Sequence, residues 1–112
     1  MHNIALKHNK IGGEYISVSV ASKDVNTVLA HCTNNSFLGA NITIPHKELF
    51  YDAVDELTEE AREIGAINTL IKQNGKLIGH NTDAYGFMKP IEDYSDNLEG
   101  ERVIIFGTGG AT

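Results

Sequence analysis

The sequence predicts an α/β protein: an open, mostly parallel twisted sheet with one antiparallel hairpin strand and helices on both faces. Short β-favouring segments alternate with segments whose apolar residues recur at helical spacing, which is typical of parallel α/β folds. The pair Asn74-Gly75 separates two apolar segments as a tight hairpin turn does. That hairpin adds the antiparallel strand.

The first half of the chain is predicted to form helix, strand, helix and strand in that order. A weak apolar stripe in residues 1–10 stops at Gly12-Gly13, as a short helix would. Residues 15–20 are rich in β-branched and aromatic side chains, which favours a strand. Residues 37–44 form the next strand. The helix between these strands has its apolar residues on one face: Val25, Val28, Leu29 and Cys32.

The second half is predicted to contain short helices, the hairpin and a longer helix. Pro45 is suited to the start of a helix, and Thr58 to the N-cap of another, which Gly65 ends. Segments 66–71 and 77–81 are the hairpin strands. The last helix has an apolar face formed by Ala84, Phe87, Met88 and Ile91.

Composition excludes several classes of protein. The chain has 112 residues, of which 41% are hydrophobic, with a net charge of −6 and nine Lys and Arg, so nucleic acid is not an expected partner. No apolar run approaches the roughly 18 residues of a membrane span. One cysteine, Cys32, suits a reducing compartment, so we expect a cytoplasmic protein without a membrane partner. The five histidines form no recognised ligand motif, and no metal site is expected.

Polar side chains stand where three β-favouring segments end, within residues 39–47, 65–69 and 79–86. Each segment ends in Asn or Thr just where a turn or helix should begin. Ligands bind at the carboxyl ends of strands in open α/β sheets. The three ends could therefore converge on one small polar molecule.

These segments also carry a family resemblance. NITIPHK at 41–47, GAINT at 65–69 and NTDAYGF at 81–87 resemble the substrate domain of shikimate dehydrogenase. RVIIFGTGGAT at 102–112 is predicted to form a strand at residues 102–106 followed by a glycine loop, and it resembles the start of that family's NADP-binding Rossmann domain. Three spaced motifs and a glycine loop in the family's order are more specific than any single signature.

The resemblance implies a domain plan. Residues 1–92 correspond to a substrate-binding and catalytic domain whose N-terminal part is missing, 93–101 to a linker, and 102–112 to an incomplete NADP-binding domain. The family pattern has a strand and a Ser-x-Ser loop ahead of residue 1. The chain therefore looks truncated at both ends, and the fragment itself is expected to be inactive.

The implied function is the reversible NADP-dependent reduction of 3-dehydroshikimate to shikimate in aromatic amino acid biosynthesis. Lys47 would be the acid/base and Asp83 its partner, since a nearby carboxylate favours the proton-donating ammonium. The residues implied to bind the substrate are Asn41, Thr43, Lys47, Asn68 and Asp83. A quinate-accepting relative and a non-catalytic small-molecule-binding module remain alternatives. The amides and hydroxyls could instead serve only turns and helix caps.

The resemblance also implies the cofactor site. The glycine loop Gly107, Thr108, Gly109, Gly110, Ala111 and Thr112 would hold NADP. Glu59 is carried over as a residue near the cofactor, although an acidic side chain at a helix start equally complements the helix dipole. The sequence leaves open whether the protein is a monomer or a homodimer.

Overall fold

The structure is a computed structural model that describes residues 1–94, 99–100, 102–104 and 106–107. Its helices are α1 (His2–His8), α2 (Val25–Cys32), α3 (Lys47–Tyr51), α4 (Glu59–Ile64) and α5 (Asp83–Tyr94), with a 3-10 turn at Ser22–Asp24. Its strands are β1 (Gly39–Asn41), β2 (Glu56–Leu57), β3 (Thr69–Gln73) and β4 (Lys76–His80). No helix among these described residues is long and apolar enough to cross a membrane.

The strands form one four-stranded sheet in the order β1-β3-β4-β2. β3 and β4 are the predicted hairpin, and Asn74 and Gly75 turn it with φ of 53° and 79°. Positive φ at both central residues is what a two-residue hairpin turn requires. The hairpin prediction is therefore confirmed.

The α/β class is confirmed, but the strand directions differ from the prediction of a mostly parallel sheet. β1 pairs with β3 and β3 with β4 antiparallel, and only β2 and β4 run parallel. The predicted strand at residues 15–20 is absent, and its Ile16 and Val18 are 66% and 62% exposed. Without that strand, β1 has only the hairpin as a neighbour among the described residues.

The hydrophobic core lies on one face of the sheet. It joins three helices to the strands and to the segment before β3 through Val25, Leu29, Cys32, Phe50, Ala61, Ile67, Leu70 and Leu77. Side chains alternate along a strand, so the next residue after Leu70, Ile71, faces the other way and is 42% exposed. Among the described residues, the helices that contribute to this core are α2, α3 and α4. α5 has no buried residue, and its Phe87 is 68% exposed.

α4 begins and ends as predicted. The hydroxyl of Thr58 caps it by accepting a hydrogen bond from the amide of Ala61 at 3.4 Å. Gly65 ends it in the left-handed conformation, with φ of 73°.

The start of α3 differs from the prediction, because Pro45 lies in a turn ahead of the helix. In that turn the amide of His46 donates to the carbonyl of Thr43 at 2.9 Å, and the Ile44–Pro45 peptide is cis. A ring nitrogen of His46, Nε2, lies 2.8 Å from the carbonyl oxygen of Val20. The turn delivers Lys47 to the first position of the helix.

The predicted strand at residues 102–106 is not found among its described residues, 102–104 and 106. Val103 and Phe106 are 76% and 95% exposed, and no described residue of this segment pairs with the sheet. The helix α5 covers the first two residues of the predicted linker, 93–101. The proposed domain limits stay a prediction.

Candidate active site

Main-chain hydrogen bonds bring the ends of three segments together. The amide of Ile42, just after β1, donates to the carbonyl of Asn68 at 2.7 Å. The amide of Ile67 donates to the carbonyl of Lys47 at 3.1 Å, and that of Asn68 to His80, the last residue of β4, at 3.1 Å. The predicted convergence of the three polar strand ends therefore occurs.

Lys47 and Asp83 form an ion pair at this point. The Lys47 Nζ donates to the Asp83 Oδ2 at 2.5 Å. The lysine side chain is 14% exposed and the aspartate side chain 42%. Among the described residues, the ammonium has no other hydrogen-bond partner, which leaves two of its three N–H groups for a ligand oxygen.

Asn68 lies beside this pair with its amide orientation fixed. Its Oδ1 accepts from the main-chain amide of Thr82 at 3.1 Å, and a main-chain amide can only donate. The Nδ2 group consequently faces the Asp83 Oδ1, at 2.7 Å, and the Thr82 hydroxyl, at 2.9 Å. Asn68 therefore holds one carboxylate oxygen of Asp83 while Lys47 holds the other.

Asn81 is a supporting residue that the sequence reasoning did not single out. It is 2% exposed, and its Nδ2 donates to the carbonyl of Ala66 at 2.9 Å. Its Oδ1 accepts from the amide of Asp83 at 2.8 Å. An Asn that bonds the amide two positions on is a common turn signal, so its place between strand and helix could have revealed it.

The carboxylate of Asp83 is held ionised. Partial burial acts to raise its pKa, but hydrogen bonds from Lys47 and Asn68, together with the lysine charge, outweigh burial and lower the pKa below the ordinary 3.8. Charge and hydrogen bonding to the anionic form act in the same direction. The Asp83 carboxylate is thus ionised in the folded chain near neutral pH.

Asn41 and Thr43 lie in a neighbouring cavity. They line a space of about 640 Å³ between β1 and the extended residues that follow α1, whereas Lys47, Asn68 and Asp83 do not line it. The Oδ1 of Asn41 accepts a hydrogen bond from the hydroxyl of Tyr15 at 3.0 Å. Of the five predicted substrate residues, three therefore lie in contact with one another: Lys47, Asn68 and Asp83. The other two, Asn41 and Thr43, line the neighbouring cavity.

Glu59 is exposed in the first turn of α4. Its neighbour Glu60, not Glu59, lines a smaller cavity of about 290 Å³ with His80 and Thr82. A hydrogen bond from the backbone amide of Glu60, and then one from the Thr58 hydroxyl, lower the pKa of Glu60. The role of Glu59 near a cofactor stays a prediction.

Most of the predicted cofactor loop lies outside the described residues: Thr108, Gly109, Gly110, Ala111 and Thr112. Gly107 is described, with φ of 126°. Residues that carry a side chain rarely adopt that conformation, so glycine suits this position, and its role in holding a cofactor stays a prediction. Among the described residues, no group of three His, Cys, Asp or Glu could hold a metal ion.

Comparison with known proteins gives consistent results. Residues 1–70 match the model of the family described as the shikimate dehydrogenase substrate binding domain. The NADP(+) shikimate dehydrogenase of Salinibacter ruber is 40% identical over 112 residues, which are 99% of this chain and 39% of that protein. The chain thus spans about 39% of the length of this relative.

Solved structures agree with the sequence relatives. A crystal structure of shikimate dehydrogenase in complex with NADP+ superposes with a TM-score of 0.89 at 33% identity, covering 98% of this chain and 38% of that one. The Thermus thermophilus shikimate 5-dehydrogenase in complex with shikimate gives a TM-score of 0.84 at 33% identity, covering 98% and 42%.

Proposed function

The chain belongs to the shikimate dehydrogenase family, and we propose that it carries the acid/base pair of an enzyme that reversibly reduces 3-dehydroshikimate to shikimate with NADP. The pair is Lys47 and Asp83. The observation that carries the proposal is their contact at 2.5 Å beside Asn68, at the end of the strands.

Reduction of a ketone needs a proton on the oxygen as the carbon receives a hydride. Lys47 can deliver that proton, because its ammonium keeps two N–H groups without a partner among the described residues. Its side chain is only 14% exposed, so few water molecules compete for those groups. In the oxidation direction the neutral amine takes the proton from the alcohol.

Asp83 holds the Lys47 side chain in position. Its own ionised state is secured by Lys47 and Asn68, which lower its pKa. The carboxylate of Asp83 lies 2.5 Å from the Lys47 Nζ and so fixes where the proton-donating group points. The aspartate is 42% exposed, which gives the pair a route to exchange protons with water.

The other polar residues suit a polyhydroxylated ring. Asn41 and Thr43 would bind one side of the ring and Asn68 with Asp83 the other, because amides, hydroxyls and carboxylates offer both donors and acceptors. A site of this kind rejects a ligand that lacks a hydroxyl, since a polar group is then left unpaired.

NADP would be held by the segment from Gly107 to Thr112, and it supplies the hydride when bound. The φ of 126° at Gly107 supports a glycine turn there. Glu59, exposed at the start of α4, is the further residue proposed near the cofactor. The cofactor of the Salinibacter ruber relative, NADP(+), supports the same choice. We place the protein in the cytoplasm, because its single cysteine, Cys32, is free and therefore suits a reducing compartment.

Calorimetric titration of shikimate into the 112-residue chain tests the proposal. We expect binding by the wild type and by Lys89→Ala, which breaks an exposed ion pair with Asp93, and weaker binding by Lys47→Ala. Equal binding by both variants would refute the assignment of Lys47. A parallel titration of quinate separates the quinate-accepting alternative. A chain completed with the NADP-binding domain of a relative separates a non-catalytic module, which would bind shikimate without NADPH-dependent reduction of 3-dehydroshikimate.

A further inference from the structure

We propose that Tyr15 is a positioning residue that sets which way the side-chain amide of Asn41 faces. Its hydroxyl donates to the Asn41 Oδ1 at 3.0 Å, across 26 positions of sequence. Both residues line the cavity of about 640 Å³. The inference rests on the polyol-binding role proposed for Asn41.

Tyr15 lies outside any helix or strand, yet it is held by the start of α1. The side chain of Asn3 bonds the main chain of Tyr15 twice, accepting from its amide at 2.6 Å and donating to its carbonyl at 2.9 Å. The ring of His2 stacks on the tyrosine ring with centroids 4.1 Å apart and an interplanar angle of 26°. These contacts hold the tyrosine ring in place, so its hydroxyl group stays beside Asn41.

The fixed hydroxyl decides what Asn41 can offer to a ligand. An asparagine amide has one acceptor oxygen and one NH2 donor group. With its Oδ1 engaged by Tyr15, Asn41 keeps the NH2 group, which has no hydrogen-bond partner among the described residues. Asn41 therefore presents donors to the cavity, and it selects a ligand oxygen that can accept, such as a hydroxyl or carboxylate oxygen.

The substitution Tyr15→Phe removes the hydroxyl and keeps the ring that stacks on His2. In the 112-residue chain we expect the side-chain NH2 signals of Asn41 to shift and broaden in the NMR spectrum, because the amide can then flip. The control Tyr94→Phe removes a hydroxyl from a side chain that is 93% exposed, and it should leave those signals unchanged. Signals that respond equally to both substitutions would overturn the proposal. This readout needs no ligand, so it stands even if shikimate does not bind.

A double-mutant cycle with shikimate as the probe tests the consequence for binding. Tyr15→Phe should weaken binding by about five- to tenfold, as expected for one lost hydrogen bond. In the Asn41→Ala background the same substitution should have no further effect, since Tyr15 acts only through Asn41. A full additional loss in that background would overturn the proposal.

Asn41→Asp decides the matter if Tyr15→Phe does not fold. The aspartate keeps an oxygen for the tyrosine hydroxyl and replaces the NH2 donor with a second oxygen. We expect it to fold and to bind shikimate at least tenfold less well than the wild type, a loss of about 1.4 kcal/mol or more. Undiminished binding would contradict the donor role and overturn the proposal.

Discussion

Lys47 and Asp83, 36 positions apart in the sequence, meet in an ion pair whose lysine Nζ and carboxylate oxygen are 2.5 Å apart. Each partner opens a helix, Lys47 opening α3 and Asp83 opening α5. An anion in the first turn of α5 also complements the positive end of that helix. The fold therefore places both groups beside each other before any ligand binds.

The acid sensitivity of the fold should depend on Asp83. Because its pKa is lower in the folded chain than the ordinary 3.8, its ionised form stabilises the fold above that value, and this contribution is lost as the pH falls through the folded-state pKa. Urea unfolding should therefore show Asp83→Asn less stable than the wild type near about pH 7, with the difference gone near about pH 2.

The control for this pH experiment is Asp93→Asn, in the exposed pair with Lys89. The Lys89 and Asp93 side chains are 46% and 62% exposed, so the substitution should change stability little at any pH. A constant difference between Asp83→Asn and the wild type across the pH range would contradict the role of the ionised carboxylate.

Asn81 should contribute to stability as well as to the geometry of the site. Asn81→Ala leaves the carbonyl of Ala66 and the amide of Asp83 without their buried partner, and we expect a loss of about 1–3 kcal/mol in the free energy of unfolding. Chemical denaturation measures it. The matched control is Asn9→Ala, which removes an exposed bond to the carbonyl of Ala5 and should cost about 0.5 kcal/mol or less. Similar losses in the two variants would show that the buried hydrogen bonds of Asn81 contribute no more to the free energy of unfolding than an exposed one does.

Gly79 should tolerate no side chain. A Cβ there would lie 2.8 Å from the Ile67 Cγ2 and 3.0 Å from the Leu57 Cδ2, and Ile67 is fully buried and cannot move aside. Gly79→Ala should therefore lower the free energy of unfolding by about 1–3 kcal/mol. Gly86→Ala, in α5, meets nothing within 4 Å and should raise it by about 0.5–1 kcal/mol. Thermal unfolding measures both variants. Melting temperatures that shift in opposite directions relative to the wild type support this packing, and shifts in the same direction would contradict it.

The sequence predicted the features that depend on local chemistry. Asn74 and Gly75 readily adopt the positive φ of a tight hairpin turn, and Thr58 and Gly65 are residue types typical of a helix N-cap and a helix end. All three were therefore visible without coordinates. The contact of Lys47 with Asp83 was anticipated from the family resemblance, since no local pattern links positions that far apart.

The features that the sequence did not predict depend on tertiary context. Residues 15–20 have the composition of a strand, but a strand needs a neighbour, and none pairs with them among the described residues. The turn at Thr43–His46 delays the start of α3 to Lys47, beyond the helix that Pro45 suggested. Asn41 and Tyr15 meet only because Asn3 anchors the tyrosine, a contact that no spacing rule contains.

The central claim is that Lys47 is the proton donor. It is tested most directly in an active hybrid in which residues 1–112 replace the matching segment of the Salinibacter ruber relative, assayed for NADPH-dependent reduction of 3-dehydroshikimate. Lys47→Ala should lower kcat by about 10²- to 10⁴-fold, which is far more than it raises KM, while Lys89→Ala changes neither. A Lys47→Ala hybrid that keeps the wild-type kcat, or that changes only KM, would contradict the account.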